Sequence, residues 1–262
     1  MDSFLRSFLD ACFAGELSKT QEAIATGRLT ADDLDKGLEL AAHMAHSDIV
    51  AALFDAGARV TASTVASLPG RDLQQQPSVV RLFLDHGLDP NWRRASGEPL
   101  LPALLNPACA RELLARGADP NLCGPRGIPP LGRAIVSTRQ EPLSLLELYL
   151  AHSAVLDSHL LFYAVRSRVD QGELKTRFLL GKGLDPNVTN GEWGTPLHLA
   201  VHASKPNIVR LLLDAGADPT AISVGRKNYG ESPAREAERL PHPGTREAIL
   251  SLLGCRLEAN GC

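Results

Sequence analysis

A chain of 262 residues with 44% hydrophobic and 22% charged residues can bury a core, and its formal net charge of −3 argues against broad attraction to polyanions. Aromatic residues make up only 5%, so the core must come mainly from Leu, Ala, Val and Ile, which favours helices over a β-sandwich. The five cysteines (Cys12, Cys109, Cys123, Cys255 and Cys262) are scattered and lack a Cys-x-x-Cys pair, unlike a secreted disulfide framework or a zinc ribbon.

The first ten residues carry two acids and lack the basic-then-apolar order of a signal peptide, and no apolar run approaches the ~18 residues of a spanning helix. The expectation is a soluble intracellular protein, in the cytoplasm, the nucleus or both, without a membrane partner.

Along the chain, an apolar run followed by a glycine and an Asp-Pro turn recurs. With full copies at Gly87, Gly117, Gly183 and Gly216 and weaker copies at Gly27, Gly57 and Ser153, the anchors fall at intervals of 30, 30, 30, 36, 30 and 33 residues. Each unit reads as two helices. The first pair spans about 3–27, turning at Gly15-Glu16-Leu17. The second, about 30–57, opens on Thr30 and Asp33 placed like a capping box and closes through Ile49-Val50, Leu53-Phe54 and Gly57. The third, about 61–87, holds a longer polar loop at 69–77. The fourth, about 97–117, starts at Pro99-Leu100. The fifth, about 129–153, starts at Pro129-Pro130-Leu131 and is lengthened between its helices by Val136 to Glu141.

The sixth pair is predicted at about 157–183. The seventh, 195–216, is the clearest: Thr195 caps, Pro196 suits the first helical position, and Ile208-Val209 with Leu212-Leu213 form one stripe ending at Gly216. The eighth, about 231–256, runs from Ser232-Pro233 to Leu252-Leu253, with Arg256 where a closing glycine would fall. The glycines end helices because a left-handed backbone there carries no Cβ penalty, and the prolines beyond them cannot prolong the helix.

Gly194-Thr195-Pro196-Leu197-His198-Leu199-Ala200, followed by Ile208 to Pro219, resembles one nearly complete repeat of the ankyrin-repeat family. The resemblance extends over almost the whole chain. It implies an all-α solenoid of stacked helix-turn-helix pairs with β-turn fingers, one domain over 1–262. It further implies a protein–protein interaction scaffold that grips its partner with finger tips and a concave helix face. The units after Gly27, Gly57 and Ser153 pass almost directly into the next helix and should lack a projecting finger.

Both tryptophans lie in fingers, where Trp and Arg supply large contact area with a directed polar group. Trp92, Arg93, Arg94, Arg126, Trp193, Arg226, Lys227 and Tyr229 are therefore the candidate recognition edge, with His43 and His202 as contacts on the concave face. The bland reading has each Trp folded over its own turn as a local plug. The expected partner is a protein with acidic or mixed acidic-apolar groups, and the chain itself is expected to be a monomer. Net charge and the lack of a nucleic-acid motif argue against nucleic acid.

No catalytic residue, cofactor or metal ligand is expected. His198 and His202 are spaced i, i+4 but lack the glutamate of His-Glu-x-x-His, and the resemblance gives His198 and His46 structural roles at turns. Gly181-Lys182-Gly183 closes a helix and so presents the wrong dipole end for phosphate. Cys123 has no matched base. Two rival readings remain: an enzyme with a small-molecule groove around His43, His202, Arg166 or Glu236, and an inhibitor whose fingers block a partner's active site.

Overall fold

The structure, a computed structural model, describes residues 2–68, 75–138 and 143–259, with side chains described as far as Gly254. Two sequence expectations thus fall partly outside the described residues: the loop at 69–77, of which 69–74 are not described, and the lengthened segment reaching Glu141. The described residues fold as helices without strands, and the only β-pairings among them are isolated antiparallel bridges, Arg93 with Pro99 and Asn190 with Gly194.

The helices form two compact units: Met1–Pro130 with Ala151–Ser153, and Leu131–Leu150 with Ala154–Cys262. In the first unit, α1 (Ser3–Ala14) pairs with α2 (Leu17–Ala25) and α3 (Ala31–His43) with α4 (Ser47–Asp55); α5 (Ala62–Ser67), α6 (Pro77–Asp85) and α7 (Pro107–Ala115) follow. Helix α1 packs on α3 and α3 on α5. In the second layer α2 packs on α4, α4 on α6 and α6 on α7. First helices thus stack on first helices and second on second, in chain order, because one short pair cannot bury enough apolar surface to offset its own ordering entropy.

The second unit repeats this logic. It contains α8 (Pro130–Ser137), α9 (Ser144–Ala151), α10 (Leu160–Val165), α11 (Gly172–Gly181), α12 (Pro196–His202), α13 (Pro206–Asp214), α14 (Pro233–Glu238) and α15 (Pro243–Ala259). Helices α10, α12 and α14 stack in one layer and α11, α13 and α15 in the other. Their apolar stripes meet in a core of Leu197, Ala200, Val201, Ile208, Val209, Leu212, Ile249 and Leu253, all essentially inaccessible to water.

Caps behave as their chemistry requires. Thr30 accepts from the Asp33 N–H at 3.2 Å while Asp33 Oδ2 accepts from the Thr30 N–H at 3.1 Å, a reciprocal capping box. Gly183 and Gly216 end α11 and α13 with φ of 86° and 91°, the left-handed backbone that a side chain resists. Ser153 adopts φ 67° without being glycine.

Two expectations need correction. The fourth pair has no first α-helix, only a 3-10 turn at Leu101–Ala103. Pro102 is accommodated at its start, but Leu104 leaves the helical region (φ −90°, ψ 95°), and Pro107 holds the preceding Asn106 extended. The backbone groups this frees are met by Gln75, which is 4% exposed. Its Nε2 donates to Ala103 O at 3.0 Å and its Oε1 accepts from the Asn106 N–H at 2.9 Å. The end of the supposed polar loop is therefore part of the interior, since unpaired buried backbone is costlier than a buried amide. At the other end, α15 continues past Arg256 to Ala259, so no helix stop stands where the closing glycine was expected.

Candidate protein-recognition site

Four turns project from the helix pairs, and one local device starts each. Asp89, Asp119, Asp185 and Asp218 each accept, through Oδ1, the N–H two residues on at 2.8 Å. The proline between blocks further helix while the aspartate closes the turn. The asparagine after that proline then reaches the next repeat. Asn91 Nδ2 donates to Gly117 O and its Oδ1 accepts from the Asp119 N–H (3.2 and 2.7 Å). Asn187 does the same with Gly216 O and the Asp218 N–H (2.9 and 2.8 Å). Sequence reading took these asparagines only as turn residues, although their place after each Asp-Pro was the signal.

In the first unit the first finger (residues 89–100) is a hairpin closed by the Arg93–Pro99 bridge, with Arg94 N–H donating to Glu98 O and Leu100 N–H to Trp92 O, both at 2.9 Å. Trp92 is half-buried at its base. Arg93 is spent internally: Nη1 donates to Gly97 O (2.8 Å) and to Cys123 O (3.1 Å), bracing the first finger against the second (residues 119–129). Arg126 pairs with Glu98 at 3.4 Å across the same two fingers. Arg94 is exposed and its guanidinium has no partner among the described residues. Cys123 is free and half-buried, its thiol on Asn121 O, while Cys12 and Cys109 are buried and desolvation pushes them up to about 11 and about 12. His43 ends α3, half-buried.

In the second unit the third finger (residues 185–195) and the fourth (218–232) lie backbone to backbone. Arg226 N–H donates to Gly191 O and Lys227 N–H to Glu192 O (3.1 and 3.0 Å). A Cβ on Gly225 would fall 2.3 Å from the Gly194 nitrogen and 2.6 Å from Trp193 backbone atoms, so only glycine admits this approach. Inside the fourth finger, Ser223 Oγ donates to Asn228 Oδ1 (2.7 Å), and Asn228 Nδ2 donates to Glu236 Oε2 (2.9 Å). Glu236 Oε1 pairs with His202 Nδ1 at 3.0 Å. The loop is thus tied to α12 and α14 at once.

The structure brings Trp193, His202 and Lys227 together. The Trp193 ring lies 4.6 Å from the His202 ring, with Lys227 Nζ 5.7 Å from its centroid. The other side of the indole packs on the core, so Trp193 is half plug and half surface. Arg226 is exposed, and Tyr229 is 78% exposed. Beside them stand Ile222 and Val224, 61% and 58% exposed, which sequence reading missed because an apolar residue in a turn carries no periodic signal.

His198 is closed in by structure. Its Nδ1 accepts from the Thr195 N–H (3.3 Å), and Nε2 meets Glu231 O (3.1 Å), which fixes the neutral tautomer that burial also favours. His46 Nε2 lies 3.1 Å from Phe13 O. Of the groove residues in the enzyme reading, His202 and Glu236 pair with each other, whereas Arg166 lies over the Tyr163 ring. Among the described residues no group of three or more His, Cys, Asp or Glu could hold a metal, and no helix is long and apolar enough to cross a membrane.

The model of the family described as ankyrin repeats (many copies) matches residues 160–223, the stretch that holds α10 to α13 and the third finger. Residues 160–223 therefore match the ankyrin-repeat family, and the fold is that of ankyrin repeat domains. The crystal structure of the human ASB11 ankyrin repeat domain superposes with a TM-score of 0.56 at 20% identity, covering 94% of this chain and 96% of that one. An ankyrin repeat domain from Acinetobacter baumannii AYE gives 0.55 at 26% identity, over 68% and 92%. The 2-5A-dependent ribonuclease of Mus musculus is 45% identical over 67 residues, and that of Homo sapiens 44% over 82. These stretches are 25% and 31% of this chain but only 9% and 10% of the ribonucleases, so the chain matches about a tenth of either one's length. Ankyrin repeats are generally protein-interaction modules, and the fold is typically non-catalytic.

Proposed function

We propose that this ankyrin-repeat protein is an adaptor whose fingers hold a partner protein through an acidic segment interspersed with apolar side chains. The observation that carries the reading is the fourth finger. Ile222, Val224 and Tyr229 stand exposed beside the cations Arg226 and Lys227, on a loop that Gly225, Asn228 and Glu236 hold rigid. Apolar side chains exposed on the same loop as two cations complement an acidic-apolar strip, and prior rigidity lowers the entropy lost on binding. Arg94, exposed on the first finger, extends the same chemistry in the other unit. We place the protein in the cytoplasm or nucleus, where such adaptors meet their partners.

Selection of random displayed peptides against the intact chain tests the reading. Enriched peptides should combine Asp or Glu with apolar residues, and a chain carrying Arg226→Ala, Lys227→Ala and Tyr229→Ala should bind them ~10–100-fold more weakly. Peptides without acidic residues, or unchanged affinity for the triple variant, would overturn it.

A further inference from the structure

The first finger carries a serine beside its two arginines, a feature to which the partner reading assigns no role. Its tip reads Arg93-Arg94-Ala95-Ser96-Gly97, and no other two arginines are adjacent anywhere in the chain. Ala95 and Ser96 are exposed at the apex of the hairpin, beyond the Arg93–Pro99 bridge. The Ser96 oxygen accepts from the Glu98 N–H at 3.4 Å, so its own proton is uncommitted. Two residues earlier, the Arg94 guanidinium is exposed and unpaired among the described residues, and Arg93 engages only Nη1.

We propose that Ser96 is a phosphoryl-acceptor site for an arginine-directed serine/threonine protein kinase. Such an enzyme reads its substrate by charge, holding the arginines before the serine in carboxylate-lined pockets. The hairpin must open to lie extended in the kinase cleft. Only two backbone hydrogen bonds hold its apex, Gly97 N–H to Arg94 O (2.7 Å) and Arg94 N–H to Glu98 O (2.9 Å), both at the exposed tip, where local opening is least costly. In the transfer, the γ-phosphoryl group of a nucleoside triphosphate moves to Ser96 Oγ. The new O–P bond forms as the bond to the nucleoside diphosphate breaks, and the hydroxyl proton passes to the kinase's catalytic carboxylate.

The site stands on the finger's own geometry, while its consequence rests on the partner reading given above. Arg93 and Arg94 contribute two positive charges to the tip, and Glu98 is already balanced by Arg126. A phosphate of about −1.5 to −2 would cancel the tip's charge and weaken its hold on an acidic segment.

The intact folded chain is incubated with ATP and the purified catalytic domain of an arginine-directed kinase, and phosphopeptides are mapped. Phosphate should appear on Ser96, vanish in Ser96→Ala, and appear roughly tenfold or more slowly in Arg94→Ala. Phosphorylation at other residues with Ser96 unmodified would overturn the proposal. So would phosphate on Ser96 only after the chain has been heat-unfolded, since the finger itself would then be the barrier. Binding of acidic-apolar peptides by the unphosphorylated chain is measured separately, so failure of the partner reading shows as lost binding with Ser96 still phosphorylated.

Discussion

Single side chains of one kind join neighbouring repeats: long polar groups near the start of a second helix that reach the carbonyls ending the previous first helix. His46 meets Phe13 O, Lys205 donates to Arg166 O at 2.6 Å, and Lys175 donates to Ile135 O and Thr138 O at 2.7 and 2.8 Å. The last carbonyls of a helix have no intrahelical partner, so each bond meets a demand that a short helix cannot satisfy alone. Lys175 is fully buried, and desolvation lowers its ammonium from 10.5 to about 8. Because the folded value lies below the unfolded one, the unfolded chain binds more protons between them, and this residue makes the protein gain stability as pH rises from about 8 to 10.5. Urea unfolding of the wild type and Lys175→Met across that range should show a stability difference that moves in favour of the wild type as pH rises. A difference independent of pH would contradict the assignment.

At the scale of elements, the two fingers of the second unit act as one body. Their registration depends on Gly225 approaching the Trp193–Gly194 backbone more closely than any Cβ allows. Gly225→Ala should therefore separate them without disturbing α12 to α15. In a Trp92→Phe background, the emission of Trp193 should shift toward that of a solvated indole, while helical circular dichroism stays within a few per cent. An unchanged spectrum would mean that the fingers tolerate the methyl group. The missing first helix of the fourth pair is the counterpart in the first unit: prolines at 102 and 107 stop it, and Gln75, distant in sequence, repairs the backbone left behind.

For the molecule, each unit is a sum of helix pairs and their interfaces, so damage should spread no further than neighbouring pairs. Leu212 is fully buried in the second unit, where α13 packs on α11, α12 and α15. Leu212→Ala should cost ~2–5 kcal/mol. Amide exchange should quicken in those three helices and stay at wild-type rates in α1 to α4; uniform quickening would argue against nearest-neighbour coupling.

What the sequence determined by itself was the local grammar. Glycines at near-regular intervals, Asp-Pro turns, the Thr30 and Thr195 caps and the paired apolar stripes mark where helices start, stop and face, because helix termini are governed by groups within a few residues. The fingers carrying Trp92, Arg93, Arg94, Arg126, Trp193, Arg226, Lys227 and Tyr229 were legible for the same reason. Only the tertiary structure decided which of those residues are free to meet a partner. Arg93 is consumed by Cys123, Trp193 is half taken up by the core and His202, and Glu236 anchors the fourth finger through Asn228. Several of those bonds, Arg93 to Cys123 and His202 to Glu236 among them, join residues roughly one repeat apart. Between such positions the chain's composition carries no distance information, and stacking alone brings them within reach.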